Sequence, residues 1–184
     1  MIARIANIIH SFVDYPSKED SCITVFLSGC GHKCKGCHNK EIQNINIGVE
    51  FTPEELMKEL DILSKSFKTK KVVFQGGDPL FYTNRTFLKD FVKINITYSV
   101  CVYTGYTIDE VKEDFKKGEV DYWKCGLFDE SLKRISSKTD EEFILASSNQ
   151  EFYDTNFKKI SKKGILKFNH LTRNNLFVRI FRQE

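Results

Sequence analysis

Nowhere in its 184 residues does the chain carry an apolar run approaching the roughly 20 residues needed to cross a bilayer, so no membrane-spanning helix is expected. The opening residues Met1-Ile2-Ala3-Arg4 lack the charged region, apolar stretch and cleavage site of a secretory leader, and the expected location is the cytoplasm. No internal repeat or low-complexity segment is visible, which excludes a repeat architecture. Tryptophan occurs once against sixteen phenylalanines, so an aromatic core would rest on phenylalanine. Nothing resembles a nucleic-acid module, and no nucleic-acid partner is expected. What is present fits a soluble globular protein of one domain, with 41% apolar and 29% charged residues. The net charge of +3 is unevenly spread: residues 151–184 carry eight Lys/Arg against three Asp/Glu, a net +5, which leaves the first 150 residues at −2. The basic end reads as a solvated face of an extension packed on the same domain.

Six cysteines in a chain of this kind point to metal or redox chemistry more than to a disulfide framework. Three of them, Cys30, Cys34 and Cys37, fall within Cys30-Gly31-His32-Lys33-Cys34-Lys35-Gly36-Cys37-His38-Asn39, directly after the apolar run Ile23-Thr24-Val25-Phe26-Leu27. Three thiols cannot pair among themselves without one left over. Their C-x3-C-x2-C spacing lets a single loop converge soft thiolates on a cubic iron–sulfur cluster, and three ligands leave one iron open. Two plainer readings stand beside this one. A zinc site could recruit His32 or His38, although the chain has no clean second ligand pair. The thiols could also simply be buried.

Strand and helix patterns alternate from residue 22 to about residue 125, which predicts βαβ units and a mainly parallel sheet. Ile2–Phe12 reads as an opening strand, and the polar stretch around Pro16 as a turn. Cys22–Leu27 is a strand that delivers the cysteine loop, at the end of a strand where α/β folds bind ligands. Thr52-Pro53-Glu54-Glu55 starts a helix through a capping box, with Leu56, Met57, Leu60 and Leu63 as its apolar stripe. Lys71–Gln75 is a strand ending in Gly76-Gly77-Asp78-Pro79, and Thr86–Ile94 a second helix. Ser99–Tyr103 is a strand running into Thr104-Gly105, Ile108–Phe115 a third helix, and Val120–Trp123 the start of a fourth strand. Residues 129–142 read as loop, and Glu142–Ala146 as a strand presenting Ser147-Ser148-Asn149-Gln150. A short helix is expected around Phe152–Ile160 and a strand over Leu176–Arg182. A full eightfold barrel takes about 250 residues, so a partial, open barrel is the expected α/β architecture.

The cysteine triplet followed by His38-Asn39, then Gly76-Gly77-Asp78-Pro79-Leu80, Tyr103-Thr104-Gly105-Tyr106 and Ser147-Ser148-Asn149-Gln150, resembles the radical S-adenosylmethionine (SAM) superfamily. More narrowly, the chain is similar to the activases of anaerobic ribonucleoside-triphosphate reductases. The resemblance spans roughly residues 5 to 150. It implies a partial-barrel radical SAM domain over 1–150, a [4Fe–4S] cluster on Cys30, Cys34 and Cys37, and SAM bound to the fourth iron through its amine and carboxylate. Reductive cleavage of SAM would give a 5′-deoxyadenosyl radical that installs a glycyl radical on the large reductase subunit. A reduced flavodoxin- or ferredoxin-like protein would supply the electron.

By the same resemblance, Gly36, His38 and Asn39 lie near the nucleoside, and Gly76, Gly77 and Asp78 near the methionine end. Thr104, Gly105, Ser147 and Asn149 are further cofactor contacts. Plainer readings apply to several: glycines for a turn at Gly76-Gly77, capping by Asn39, and helix capping after Thr104-Gly105. Family members often carry Gly-Pro-Gly near residues 14–20, and this chain does not. Cys125-Gly126 stands where relatives tend to have Asp-Gly. Cys22, Cys101 and Cys125 have no ligand counterpart and read as buried thiols; if one reached the fourth iron, the protein would be an electron carrier. The other rivals are activation of a different glycyl-radical enzyme and a small-molecule radical SAM reaction.

Overall fold

In the computed structural model, which describes residues 1–18 and 21–168, a seven-stranded mixed sheet carries three helices on one face and a small second sheet on the other. β1 (Ala3–Ser11) pairs antiparallel with β2 (Cys22–Leu27), and β3 (Val49–Phe51) pairs antiparallel with the start of β1. Helix α1 (Pro53–Phe67) then returns the chain to β4 (Lys71–Gly76), which lies parallel to β2. Helix α2 (Tyr82–Ile94) leads to β5 (Ser99–Tyr103), and α3 (Ile108–Asp114) to β6 (Tyr122–Cys125). These four strands are parallel, as the βαβ alternation predicts.

Local chemistry accounts for the helices. Thr52 and Glu55 form the reciprocal capping box expected of α1, with Pro53 at its first position. Leu56 and Leu60 are fully buried, and Met57 and Leu63 pack beside them. Burying a leucine contributes about 1.5–3 kcal/mol, so this stripe outweighs any propensity term in fixing α1. Thr107 and Glu110 repeat the capping box at α3. Helix α2 begins four residues before the expected Thr86. Its first turn is polar and hides the helical period, but Asn84 in that turn points inward and is buried.

Beyond β6 the chain stops adding parallel strands. β7 (Ser137–Lys138), β8 (Glu142–Ile144) and β10 (Ile165–Lys167) make a separate antiparallel sheet, whereas β9 (Glu151–Asp154) closes the main sheet antiparallel to β6. The short helix expected around Phe152–Ile160 is therefore corrected to a strand and a turn. Phe152 points to one side of the sheet and Tyr153 to the other, and each finds apolar neighbours there. Asp154 then ends the strand by accepting from the N–H groups of Asn156 and Lys158, with Phe157 at positive φ. The strand expected over Leu176–Arg182 lies outside the described residues.

The alternating strands sort their side chains into two cores. Ile23, Val25, Leu27, Val72, Phe74, Val100, Val102 and Trp123 face the helices. Cys22, Val73, Cys101 and Phe152 face the small sheet and meet Phe143, Leu145 and Leu166. Nearer the carboxyl ends of the parallel strands, the second face is left as a cavity. No helix among the described residues is long and apolar enough to cross a membrane.

Candidate functional site

The cavity, of about 450 Å³, is in the size range of small-molecule and cofactor sites. Cys30, Cys34 and Cys37 all line it, half-buried and free of disulfides. Their loop leaves β2 and is tied down by backbone bonds. Gly29 and Cys30 donate to the carbonyls of Ile42 and Gln43 on a short 3-10 turn, and Cys37 donates to the Cys34 carbonyl. Lys33 and Gly36 take positive φ, the tight winding that brings the thiols to one side. Burial pushes the Cys30 thiol up from its ordinary value.

The Gly76–Pro79 loop is fastened to the cysteine loop. Gly77 donates to the Leu27 carbonyl at 2.7 Å, and Asp78 to the Gly29 carbonyl at 2.8 Å. A Cβ on Gly77 would stand 2.3 Å from the Gly29 carbonyl oxygen, so two backbones meet here with no room for a side chain. Gly76, at φ +114, is likewise packed on the Leu27 backbone. Asn84 of α2 adds a third tie by donating to the carbonyls of Ser28 and Asp78. The ring of Phe81 fills the space left by the missing side chains of Gly29 and Gly31.

Asp78 is the junction of the site. Its side chain is 2% exposed and accepts four bonds: from Leu80 N and Thr104 Oγ1 at one oxygen, and from Gly105 N and His32 Nε2 at the other. Three loops, following β2, β4 and β5, are thereby held by one carboxylate. Hydrogen bonds to a charged group contribute roughly 1.5–3 kcal/mol each, enough to offset the desolvation of a buried carboxylate. The bond to Asp78 raises the His32 pKa against the lowering effect of burial. Gly105 must lack a side chain because His32 packs on it; a Cβ there would lie 2.7 Å from the imidazole.

The remaining expected site residues divide. Asn39 lines the cavity and donates to the Gly76 carbonyl, and His38 lines it beside Phe128. Gly36, Gly76, Gly77, Asp78, Thr104 and Gly105 line it as well, although the Thr104 hydroxyl is committed to Asp78. Ser147 and Asn149 do not line it. Ser147 is fully buried and accepts from Asp129 N, while Asn149 donates to the Leu127 carbonyl. Cys22, Cys101 and Cys125 are buried in the two cores, away from the cavity lining.

Gln150 and Lys124 are among the lining residues that sequence reasoning misses. Gln150 is 2% exposed, donates through Nε2 to the Gly126 carbonyl, and has no partner for its Oε1 among the described residues. Lys124 reaches the cavity from β6 with its Nζ 5.5 Å from the centre of the Tyr103 ring, and burial pushes it down to about 8. Strand alternation could have found Lys124, which faces inward beside Tyr103 on β5.

Three free thiols on one turn, open to one cavity, are a donor set suited to an iron–sulfur cube with one iron unprovided for. Among the described residues no group of three or more Cys, His, Asp or Glu is arranged to hold a single metal ion. His32, a possible fourth ligand by sequence, is occupied by Asp78.

Residues 20–153 match the 4Fe-4S single cluster domain family, and the chain belongs to that class of iron–sulfur proteins. An anaerobic ribonucleoside-triphosphate reductase-activating protein of Pasteurella multocida is 30% identical over 76% of this chain and 91% of its own length. That of Enterobacteria phage T4 is 29% identical over 68% of this chain and 84% of its own. Within its class, then, the chain is a member of the anaerobic ribonucleoside-triphosphate reductase-activating proteins. Among solved structures, QueE from Escherichia coli overlaps 58% of this chain and 54% of its own at 15% identity and a TM-score of 0.41, too slight a likeness to argue from.

Proposed function

We propose that this chain is a SAM-dependent iron–sulfur activase that installs a glycyl radical on the large subunit of an anaerobic ribonucleoside-triphosphate reductase. The observation that carries the reading is the opening of Cys30, Cys34 and Cys37 onto one cavity shared with the loops after β4 and β5. The relatives are named as activators of that reductase, which supplies the target. Bound here, a reduced [4Fe–4S] cluster and SAM supply one-electron cleavage to a 5′-deoxyadenosyl radical, the hydrogen-abstracting agent.

The chain's own residues orient and shield. Cys30, Cys34 and Cys37 would hold three irons, and the backbone at Gly76-Gly77 would approach the methionine end of SAM. His38, Asn39, Gly36 and Gly105 would flank the nucleoside. Asp78 and Thr104 would act by fixing the loops through their mutual bonds, and Ser147 and Asn149 by holding the segment that presents Gln150. In this reading the parallel strands form the wall of a partial, open barrel. Residues 1–150 are the radical SAM domain and 151–184 its basic extension, the described part of which, 151–168, pairs β9 with β6 and β10 with β8. A reduced flavodoxin- or ferredoxin-like protein of the cytoplasm would deliver the electron.

Anaerobic reconstitution with iron and sulfide, reduction, and assay of 5′-deoxyadenosine with and without the reductase tests the proposal. Formation of 5′-deoxyadenosine coupled to a glycyl-radical EPR signal on the reductase is expected. A small-molecule product without any partner, or no SAM cleavage at all, would overturn it.

A further inference from the structure

The cysteine loop has two sides, and only one of them belongs to the cavity. Cys30, His32, Cys34 and Cys37 line it, whereas Gly31, Lys33 and Lys35 are exposed and stand outside the lining. Residues 21–40 hold three lysines and no Asp or Glu, within a first 150 residues that sum to −2. The outer side of the loop is therefore a positive island. Lys35 pairs with Glu130 at 3.1 Å, but its side chain is 89% exposed and such a pair is weak. Among the described residues Lys33 has no ion-pair partner. It also takes φ +54, a conformation that glycine adopts at less cost, so its charge is held at the surface against a backbone preference. Two residues apart in one turn, Lys33 and Lys35 have Cα atoms no more than about 7 Å from each other, and Gly31 is as close to Lys33. An aromatic spot adjoins them. Phe81 packs against Gly31, and the ring of Tyr82, which is 71% exposed, lies 4.5 Å from that of Phe81.

We propose that this outer face of the cysteine loop, Lys33 and Lys35 with Gly31 and Tyr82, docks an acidic protein that carries a one-electron centre. The inference rests on the activase reading, which requires an electron from outside and gives the cavity to cofactor and target. One electron leaves the carrier's reduced centre and enters the group held by the three thiols; the carrier is oxidised by one, and no bond is made or broken. Charge selects the partner, because a lysine pair with no opposing carboxylate beyond Glu130 draws an acidic surface and repels a basic one. A small aromatic spot beside exposed charge suits the small, transient interfaces that electron carriers form. Gly31 and Gly36 put bare backbone at the surface, so at these positions no side chain holds the carrier away from the cysteine loop.

The test is the affinity of the anaerobically reconstituted protein for two acidic carriers, an oxidised flavodoxin and a plant-type ferredoxin, measured by calorimetry. The variants are Lys35→Glu, Lys33→Gly, which suits the positive φ at that position, and the two combined. Lys65→Glu makes the charge change of Lys35→Glu on α1, away from the loop. At low ionic strength the combined variant is expected to weaken the carrier that binds by about tenfold or more, and each single variant by about threefold. These differences should shrink to about twofold or less in roughly 0.5 M salt, and Lys65→Glu should stay within about twofold of wild type throughout. Iron per chain equal to that of wild type shows on the same samples that the loop still holds its cluster. Equal weakening by Lys35→Glu and Lys65→Glu, or wild type that binds neither carrier, would overturn the docking face and leave the activase reading intact. Unchanged carrier affinity together with a shifted cluster potential would do the same, because the lysines would then serve only to balance the thiolates. The activase reading is judged separately, by 5′-deoxyadenosine formed by wild type with dithionite, which needs no docking. Wild type that binds a carrier through the lysines yet cleaves no SAM under dithionite would overturn that reading and leave the docking face standing.

Discussion

His32 Nε2 lies 3.0 Å from Asp78 Oδ2, and through this pair the loop that carries the thiols is joined to the loop after β4. Asp78 also takes Thr104 and Gly105, so the three cavity-facing loops share one anchor. A cluster ligand set drawn from one turn gains rigidity from such an anchor, which adds to the backbone bonds that Gly29 and Cys30 make to Ile42 and Gln43.

Removing that anchor has a calculable cost. Asp78→Ala strands two backbone N–H groups, the Thr104 hydroxyl and His32, and breaking a buried charged network costs about 3–5 kcal/mol. Urea unfolding of the cluster-free protein should register a loss of that order, and iron retained after reconstitution should fall with it. Asp78→Asn, which keeps the shape and some acceptor capacity, should lose less.

The His32–Asp78 pair also makes stability depend on pH. The folded-state pKa of His32 is raised above its ordinary 6.5, chiefly by the bond to Asp78. The pair's contribution is therefore full below about pH 6.5 and is lost as pH rises through the raised folded-state value. The difference in urea midpoint between wild type and His32→Gln should be largest near pH 6 and shrink toward pH 8. A difference that grew with pH would contradict the assignment.

Gly77→Ala tests the contact between the two loops. The added Cβ has no space against the Gly29 carbonyl, and the displacement costs about 1–3 kcal/mol by analogy with overpacked cores. The cysteine loop must move to relieve it, so reconstituted iron per chain should drop well below that of wild type while the far-UV circular dichroism is unchanged.

Thr52→Ala is the complementary case. Loss of the cap at α1 costs about 1 kcal/mol, and α1 lies on the helical face away from the cavity. Stability should fall by that amount with iron content and SAM binding unaffected.

These predictions draw unequally on the sequence. The strand Cys22–Leu27, the capping box at Thr52 and the three-thiol loop are local patterns, and each is found where it is expected. The ties among the loops are not local: His32 meets Asp78 across 46 residues, and Asn84 meets Ser28 across 56. Nothing in a turn-like Gly-Gly-Asp-Pro says that its aspartate will accept from two other loops, so Asp78 reads as a cofactor contact where its bonds are to protein. A short helix is expected around Phe152–Ile160, whereas pairing with β6 decided the conformation. Ser147 and Asn149 stood out by resemblance, yet it is their neighbour Gln150 that reaches the cavity. A run of four polar residues gives no periodicity from which to choose among them.

The central claim is that three thiols, and no fourth, hold the cluster. Its most direct test is the EPR spectrum of the reduced, reconstituted protein before and after addition of SAM, recorded for wild type and for Cys22→Ala, Cys101→Ala and Cys125→Ala. The account predicts a reduced-cluster signal that changes on addition of SAM in all four proteins. A signal indifferent to SAM, or one abolished by removing any of those three core cysteines, would contradict it.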